Sequence, residues 1–409
     1  MTGHPAAAVP ERRRHHVTSA VLLGFTSLLW PLTHALAQRP LDLRAYYLHV
    51  VLAADSGPFN ARGVMDVQRA RLMAHPTTGP WALDLSYEHT LIYTSAAGAA
   101  GTFGGLGQAR SATDWLPLQG SLGSSPHLQW RDRVDRLSLR YATPALELTA
   151  GRQTISWATA LFLTPADPFA PFDPSEPFRE YRTGVDALRV RAFPAPFLEL
   201  DGVARPATTP LEHTLTAALR AKAAMGRWEI GGWGGVVHDE PAGSLAATRT
   251  VAGAVLRAEG VVRRSGGRTV TRFAVGADRS FTVAGRTLYF VAEYQRDGFG
   301  AARPEDLPGI WFSALAGRGE LQAYGRDVTA GQVSYQVHPL LSLELLTLWD
   351  LDDGSALVAP ALGYSAGSNL SFRAGLFAGA GPALLSTGAP GSEYGAVPTA
   401  GYLSLTAFF

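Results

Sequence analysis

The charged residues best placed to do chemistry lie in and around a proline-rich segment, 154–182. From Pro165 to Pro177 every third residue is proline, and carboxylates and guanidiniums stand between and after them. Proline fixes the backbone and removes an N–H donor, so the segment is expected to form a stiff loop. Facing charges of both signs in a narrow passage would set a transverse field that orients polar solutes. The five charged residues are Asp167, Asp173, Glu176, Arg179 and Arg182.

Two other interpretations of this segment stay open. It could form a rigid cap on an outer rim, with its charges solvated or paired. It could also hold calcium through Asp167, Asp173 and Glu176, because that ion prefers oxygen ligands. The spacing of these three acids matches no standard calcium loop.

Further arginines and carboxylates stand at alternate positions of strand-like segments. Successive side chains of a strand point to opposite faces, so these residues would share one wall while apolar neighbours cover the other. Many charges are tolerated on a wall that lines water, whereas a dry core would make them costly. The candidates for a wet lumen, besides Glu147, are Arg152, Arg189, Arg191, Glu199, Asp201, Arg205, Arg220, Arg257, Glu259, Glu293, Glu344 and Arg373.

Arg152 is a difficult member of this set. It has the parity of Leu146 and Leu148, which are expected to face lipid. Either Gly151 marks a bulge that re-aims the arginine, or the assumed register is wrong by one residue.

The sequence argues against an enzyme. Gly363-Tyr364-Ser365-Ala366-Gly367 matches the nucleophile pattern of α/β hydrolases, which needs a strand–turn–helix context and a later acid and histidine. Neither histidine nor aspartate follows Ser365, so a Gly/Ser turn between two strands explains the match. The histidines form no metal-ligand spacing, and we expect no cofactor. The formal net charge of +1 gives no basic field for nucleic acid.

The elements that must position these residues are strands. Hydrophobic residues make up 46 % of the chain and Gly accounts for 44 residues, but apolar positions alternate with polar ones instead of forming blocks. In 81–93, for example, Trp81, Leu83 and Leu85 share one face and Asp84 and Glu88 the other. Such alternation predicts strands that bury one face only. The absence of Cys shows that disulfides are not needed.

Both ends of the chain carry signals. Arg12–Arg14, an apolar run from Val17 to Leu32 and Ala35-Leu36-Ala37 have the order of a secretory signal peptide. We therefore expect residues 1–37 to be cleaved and 38–409 to form a single domain. A transmembrane anchor is the alternative for this region. At the other end Leu403, Leu405 and Ala407 alternate with more polar residues, and the chain stops at Phe409.

That ending resembles the C-terminal strand of bacterial outer-membrane β-barrel proteins. The resemblance implies that the barrel-assembly machinery reads Phe409, Leu405 and Leu403, although many members have an aromatic residue where Ala407 stands. A second resemblance lies in the pattern Gly-Arg-Gln…Trp…Pro-x-Asp…Arg-x-Gly-Val-Asp of residues 151–186. It is similar to porin-like barrels, including the alginate-export type, except that Ala158 replaces the usual Gly.

The combined expectation is an all-β, transmembrane, antiparallel up-and-down barrel. Short periplasmic turns should alternate with long extracellular loops, placed at 95–127, 154–182, 206–212, 238–244, 298–319 and 379–396. Dividing 247–263 at Ala252-Gly253-Ala254 gives eighteen strands, with sixteen as the alternative. Eighteen strands can enclose an aqueous channel.

These inferences favour a porin-like channel in the cell outer membrane for passive diffusion of small hydrophilic solutes. Its expected partners are membrane lipid, the assembly machinery and the solute, and its oligomeric state is left open. A closed surface-structural or adhesion barrel is the first alternative, and a barrel enzyme is the second.

Overall fold

The computed structural model describes residues 42–95, 114–169, 178, 180–209 and 212–409. The signal peptide predicted for residues 1–37 lies outside this part of the chain and stays a prediction. Within the described residues, no helix is long and apolar enough to cross a membrane.

Eighteen antiparallel strands, each paired with its neighbours in sequence, form the wall of a closed barrel. The all-β, eighteen-strand prediction is therefore confirmed. The strands are β1 Leu43–Ala54, β2 Gly63–Ala74, β3 Trp81–Thr94, β4 Leu128–Ala142, β5 Leu146–Gln153, β6 Val185–Ala195, β7 Leu198–Thr208, β8 His213–Met225, β9 Trp228–Val237, β10 Glu240–Val251, β11 Ala254–Ser265, β12 Arg268–Val283, β13 Arg286–Asp297, β14 Asp327–His338, β15 Leu341–Asp350, β16 Ala356–Ser365, β17 Leu370–Ala380 and β18 Ala400–Phe408.

Pairing between the first and last strands closes the barrel. Tyr46 lies opposite Phe408, and the register continues to Ala54 opposite Ala400. Beyond β18, the N–H of Phe409 donates to the Ala45 carbonyl at 2.8 Å, and the N–H of Ala45 donates to the Phe409 carbonyl at 3.0 Å. The sheet consequently has no free edge along this seam.

The two faces of the wall differ as the alternation predicted. On β18, Leu403 points outward and is 67 % exposed, while Tyr402 and Ser404 point inward and are buried. Leu245 on β10 is 76 % exposed on the outer surface of the opposite wall. An apolar outer face with a polar inner face is the pattern of a barrel whose outside contacts lipid.

Tight turns join the strands at one end, which we call the short-turn end. The β10–β11 turn is only Ala252-Gly253, with φ values of 48° and 80°. The strand division predicted at this point is correct. Ala284 and Gly285 make a similar turn between β12 and β13, with φ values of 49° and 71°. Positive φ at both central residues gives a turn that matches the twist of the flanking strands.

Long connections lie at the other end, the loop end, between β3 and β4, β5 and β6, β13 and β14, and β17 and β18. Two segments predicted as long loops, 206–212 and 238–244, are short connections instead. The second is only His238-Asp239, whose φ values of 49° and 65° make a tight turn. Short secondary elements decorate this end: the strand Gln119–Ser124, a 3₁₀ turn Pro304–Asp306, and the helices α1 Leu307–Trp311 and α2 Ala314–Gly317.

Candidate functional site

Inward side chains of the barrel wall carry interleaved charges. Asp135 on β4 is the centre of one group: its carboxylate lies 2.7 Å from Arg71 Nη1, 2.5 Å from Arg136 Nη1 and 3.6 Å from Arg133 Nε. The N–H of Gly184 also donates to Asp135, at 3.1 Å. Because these partners lie on β2, on β4 and before β6, this group ties the entry to β6 to the wall.

The predicted charges on β5–β7 form a second paired group. Arg189 donates to Asp201 with Nη2–Oδ2 at 2.6 Å, and Arg191 donates to Glu147 at 2.5 Å. The Asp201 carboxylate also accepts the indole N–H of Trp157 at 2.8 Å. Trp157 is thereby fixed at the start of the 154–184 connection.

That connection leaves the wall and contacts the opposite side of the barrel. Glu293 of β13 accepts the backbone N–H groups of Leu161, Phe162 and Leu163 at 2.6, 2.8 and 3.0 Å. Glu259 of β11 accepts those of Thr159, Ala160 and Ala166 at 2.6, 2.9 and 3.0 Å. Two inward carboxylates thus hold six backbone donors of one loop inside the barrel.

Asp167 lies in the interior of this loop. Its carboxylate accepts from Ser156 Oγ at 2.7 Å, from Arg182 Nη1 at 3.2 Å and from the N–H of Phe169 at 3.2 Å. Burial raises the pKa of Asp167 above its ordinary value, while the Ser156 hydrogen bond and Arg182 act in the opposite direction. The two ends of the loop are therefore joined through a buried carboxyl group.

A small cavity lies on the loop-end side of Asp167. Its cationic lining residues are Arg205, Arg263, Arg272 and Arg318, which face the carboxylates of Asp167 and Glu320. His238 also lines the cavity, and burial lowers its pKa to about 4, so it is uncharged at neutral pH. Arginines outnumber carboxylates among the lining residues, although Glu240, Asp297 and Glu212 pair with Arg263, Arg272 and Arg318 from outside the lining. Phe169 and Trp233 form the apolar part of the wall.

The side of the lumen near β1, β17 and β18 is apolar. The Phe178 ring contacts Tyr402 edge to face, with centroids 4.7 Å apart, and Phe377 at 6.4 Å. Leu163 is buried in the same cluster. The lumen therefore has a charged side and an aromatic side, with the loop packed against both.

Beyond Asp167 and Arg182, other predicted residues lie at or near the loop. Arg205 Nη1 donates to the Phe169 carbonyl at 2.9 Å, and the Arg220 guanidinium lies 6.0 Å from the Trp157 ring centre.

Glu199 faces Lys222 in the β7–β8 register. The pairs Arg257–Asp278 and Arg373–Glu344 lie on the wall, and Arg373 also interacts electrostatically with Glu180 of the β5–β6 connection. Three predicted residues, Asp173, Glu176 and Arg179, lie outside the described residues.

The Arg152 side chain does not face lipid, although its position has the outward parity of Leu146 and Leu148. Gly151 has a φ of 113°, and a Cβ at this position would lie 2.2 Å from the Leu137 carbonyl oxygen. Beside this glycine the Arg152 side chain is fully buried, and its Nε and Nη2 donate to the two oxygens of Asp186 at 2.8 Å each. Of the two alternatives for Arg152, these contacts fit the one in which Gly151 re-aims the arginine, and the 114–116 segment covers the Arg152–Asp186 pair.

The calcium interpretation gains no support from the placement of Asp167, whose oxygens are occupied by Ser156, Arg182 and a backbone N–H. Over the ranges that the structure describes, no group of three or more His, Asp or Glu residues is placed to hold a metal ion.

Solved structures with this architecture include Pseudomonas aeruginosa OpdK with vanillate. The TM-score is 0.53 at 12 % identity, over 90 % of this chain and 98 % of that one. Pseudomonas aeruginosa OccD3 (OpdP) gives 0.52 at 12 %, covering 91 % of each chain. Acinetobacter baumannii OccAB1 gives 0.53 at 9 %, over 90 % and 97 %. The chain has the fold of these outer-membrane channels. No protein-family model and no curated protein matches it.

The matched structures support the porin-like part of the sequence resemblance. They are Occ and Opd channels, and they lend no support to the alginate-export subtype.

Sequence reasoning missed several lumen charges. Arg69 and Arg71 alternate with Ala70 and Leu72, so the period-2 pattern of β2 was sufficient to find them. A bulge in β4 follows Val134 and shifts the inward–outward parity of the strand. The alternation pattern therefore did not identify Asp135 and Arg136 as inward residues. Glu320 and Gln322 lie in a loop, where alternation gives no signal.

Proposed function

We propose that this protein is a channel in the cell outer membrane through which small polar solutes diffuse without energy input. The closed barrel, its apolar outer face and its likeness to solved outer-membrane channels support that proposal. The passage would run between the charged wall and the inward-folded loop.

The observation that carries the proposal is the anchoring of residues 159–166 to Glu259 and Glu293. These contacts would narrow the lumen with the backbone groups of one loop. Burial of both carboxylates is offset by six N–H donors, so the loop position is well defined. A defined narrowing favours size-dependent passage over a wide, unselective pore.

The solutes we propose are anionic. The cavity on the loop-end side of Asp167 places four arginines against two carboxylates, and His238 is neutral there. Guanidiniums that line a narrow passage can raise the local concentration of anions, even where carboxylates outside the lining pair with them. The solved structure of Pseudomonas aeruginosa OpdK contains vanillate. A small ligand can therefore be used to study a channel of this fold.

Planar-bilayer recording of the refolded chain tests this proposal. Stable single-channel steps are expected, with a reversal potential in a salt gradient that reports preference for the anion. Charge-neutral selectivity would contradict the anionic substrate class. A folded, heat-modifiable protein that gives no steps would favour a closed surface barrel, which is the alternative function.

We also propose that the barrel-assembly machinery binds the C-terminal segment through Leu403, Leu405 and Phe409. Phe409 is 75 % exposed, which leaves its ring available to a partner.

A further inference from the structure

The outer surface of the barrel carries ionisable residues unevenly. Within the described part of β5–β18, each carboxylate or histidine with outward parity stands at a strand end: Asp186, His213 and Asp327. Apart from the buried Arg152, the other arginines with outward parity are Arg249, Arg264, Arg279, Arg286 and Arg296, of which Arg264, Arg286 and Arg296 stand at strand ends. Arg249 and Arg279 lie toward the short-turn end, each with its guanidinium 4.8 Å from an aromatic ring centre. The rest of this surface suits lipid.

The outward face of β1 and β2 is different. His49 and Asp66 lie in the interior of their strands, and His49 Nε2 is 2.8 Å from Asp66 Oδ2. Gln68 Nε2 donates to Asp66 Oδ1 at 3.1 Å, and the Tyr47 hydroxyl donates to Gln68 Oε1 at 3.3 Å. We call these four residues the outer polar patch. The His49 and Asp66 side chains keep 35 % and 29 % of their surface exposed.

Similar residues continue the patch onto the next two strands. The Tyr87 hydroxyl lies 3.4 Å from His89 Nδ1, and the Trp130 indole N–H donates to His89 Nε2. Asp132 lies opposite His89 in the β3–β4 register. Polar and ionisable outward residues thus extend over four consecutive strands.

A lipid tail cannot hydrogen-bond these groups, and charged side chains facing lipid are costly in a depth-dependent way. The patch contains a carboxylate, an imidazole and both hydrogen-bond donors and acceptors. A surface of this kind is complementary to itself, since one copy can offer the histidine where the other offers the carboxylate. Four strongly exposed apolar side chains surround it and could pack across an interface: Val51, Val64, Leu72 and Leu403.

We propose that the outward face of β18, β1 and β2, centred on the outer polar patch, is the contact between copies of this chain in the membrane. The proposal rests on the membrane location proposed above, but it is independent of conductance. A chain that assembles into oligomers and conducts nothing would contradict the channel function and leave this interface intact.

Cysteine cross-linking tests the interface directly, because the chain has no natural cysteine. Leu403→Cys places a thiol beside the patch, and Leu245→Cys, the matched control, places one on the opposite wall at similar exposure. After treatment of intact membranes with a short bis-maleimide, we expect a covalent dimer from Leu403→Cys and none from Leu245→Cys. Equal yields, or no dimer from either variant, would overturn the proposal.

A double variant, His49→Leu with Asp66→Leu, tests the role of the patch itself. The mass of the purified protein in detergent, measured by light scattering, is expected to fall from oligomer to monomer while heat-modifiable migration is retained. A double variant that stays oligomeric would contradict a role of the patch in the contact, and a native chain that is monomeric would overturn the proposal. If the double variant does not fold, the cross-linking result decides.

Discussion

The Glu293 carboxylate on β13 accepts the backbone N–H of Leu163 at 3.0 Å, although the two residues are 130 positions apart in sequence. A strand residue from one side of the barrel therefore fixes a loop that starts on the other side. In the proposed channel, the shape of the passage would depend on this contact and its equivalents at Glu259.

Removing the Glu293 carboxylate should loosen the loop. Glu293→Ala leaves three N–H donors without their acceptor, and a hydrogen bond to a charged group contributes roughly 1.5–3 kcal/mol. We expect larger and noisier single-channel conductance. Asp278→Ala is the matched control, because Asp278 also lies on the inner wall but pairs with Arg257 and Tyr289 instead of the loop. Equal conductance in both variants would show that the loop does not set the passage.

Arg318 should contribute to ion preference. Its guanidinium lines the loop-end cavity and contacts Glu212 and Glu320. Arg318→Gln removes one positive charge from this entrance, so the reversal potential in a salt gradient should move toward cations. Arg303→Gln is the control, since Arg303 is 73 % exposed and pairs only loosely with Asp306 at 3.6 Å. A shift of the same size from both variants would argue for a general charge effect.

Asp135 should be important for stability. Asp135→Ala would leave the buried guanidiniums of Arg71 and Arg136 without their shared carboxylate, and breaking such a buried pair costs about 3–5 kcal/mol. The temperature at which the barrel loses its heat-modifiable migration should fall. Asp42→Ala, which removes an exposed ion pair with Arg44, should have little effect. Unchanged melting of Asp135→Ala would contradict the assigned role.

The connection between β17 and β18 should be attached more firmly at acidic pH. Glu393 accepts the N–H groups of Tyr324 and Gly325 at 2.9 and 2.8 Å, which joins this connection to that between β13 and β14. Burial, with a further contribution from the nearby Asp353, raises the pKa of Glu393 to about 7. Asp350, Asp352 and Tyr394 are the other titratable groups beside it.

Because the folded pKa is above the ordinary 4.5, the folded state binds the proton more tightly than the opened state. The stabilisation is fully present below about pH 4.5 and is lost as the pH rises through 7, a change on the order of 3 kcal/mol. Hydrogen exchange of residues 381–399 should be faster at pH 8 than at pH 5, after correction for the intrinsic rate. Glu393→Gln should weaken this pH dependence, and an unchanged ratio in that variant would count against Glu393.

The terminal strand offers a further prediction. Phe409→Ala should slow assembly into the outer membrane more than it lowers the stability of the assembled barrel, because the ring is exposed while the backbone pairs with Ala45. Pulse-chase analysis of heat-modifiable protein in cells would measure the rate. Val337→Ala, another exposed position at the short-turn end, should assemble at the normal rate.

Much of the wall could be predicted from sequence, because a strand with one face in lipid repeats every two residues. Trp81, Leu83 and Leu85 face outward as their spacing indicated, and the Ala252-Gly253 turn sits where the strand count required it. Prediction was wrong where local backbone geometry overrides the period, since two residues at positive φ made His238-Asp239 a tight turn instead of a long loop. At Arg152 the period alone left two alternatives, because the positive φ of Gly151 decides where the arginine points. The contacts of Glu259 and Glu293 could not be predicted, because they depend on a loop that is distant in sequence. The spacing of residues near these two glutamates gives no information about that loop.

Pairing of Tyr46 with Phe408 has a consequence for biosynthesis. The strand that emerges first can complete its hydrogen bonds only after the strand that emerges last is available. Such maximally non-local pairing is slow, and every intermediate before it exposes two unsatisfied strand edges. A chain delayed in transit would therefore be prone to edge-to-edge aggregation, so we expect that it needs a periplasmic chaperone until both ends meet.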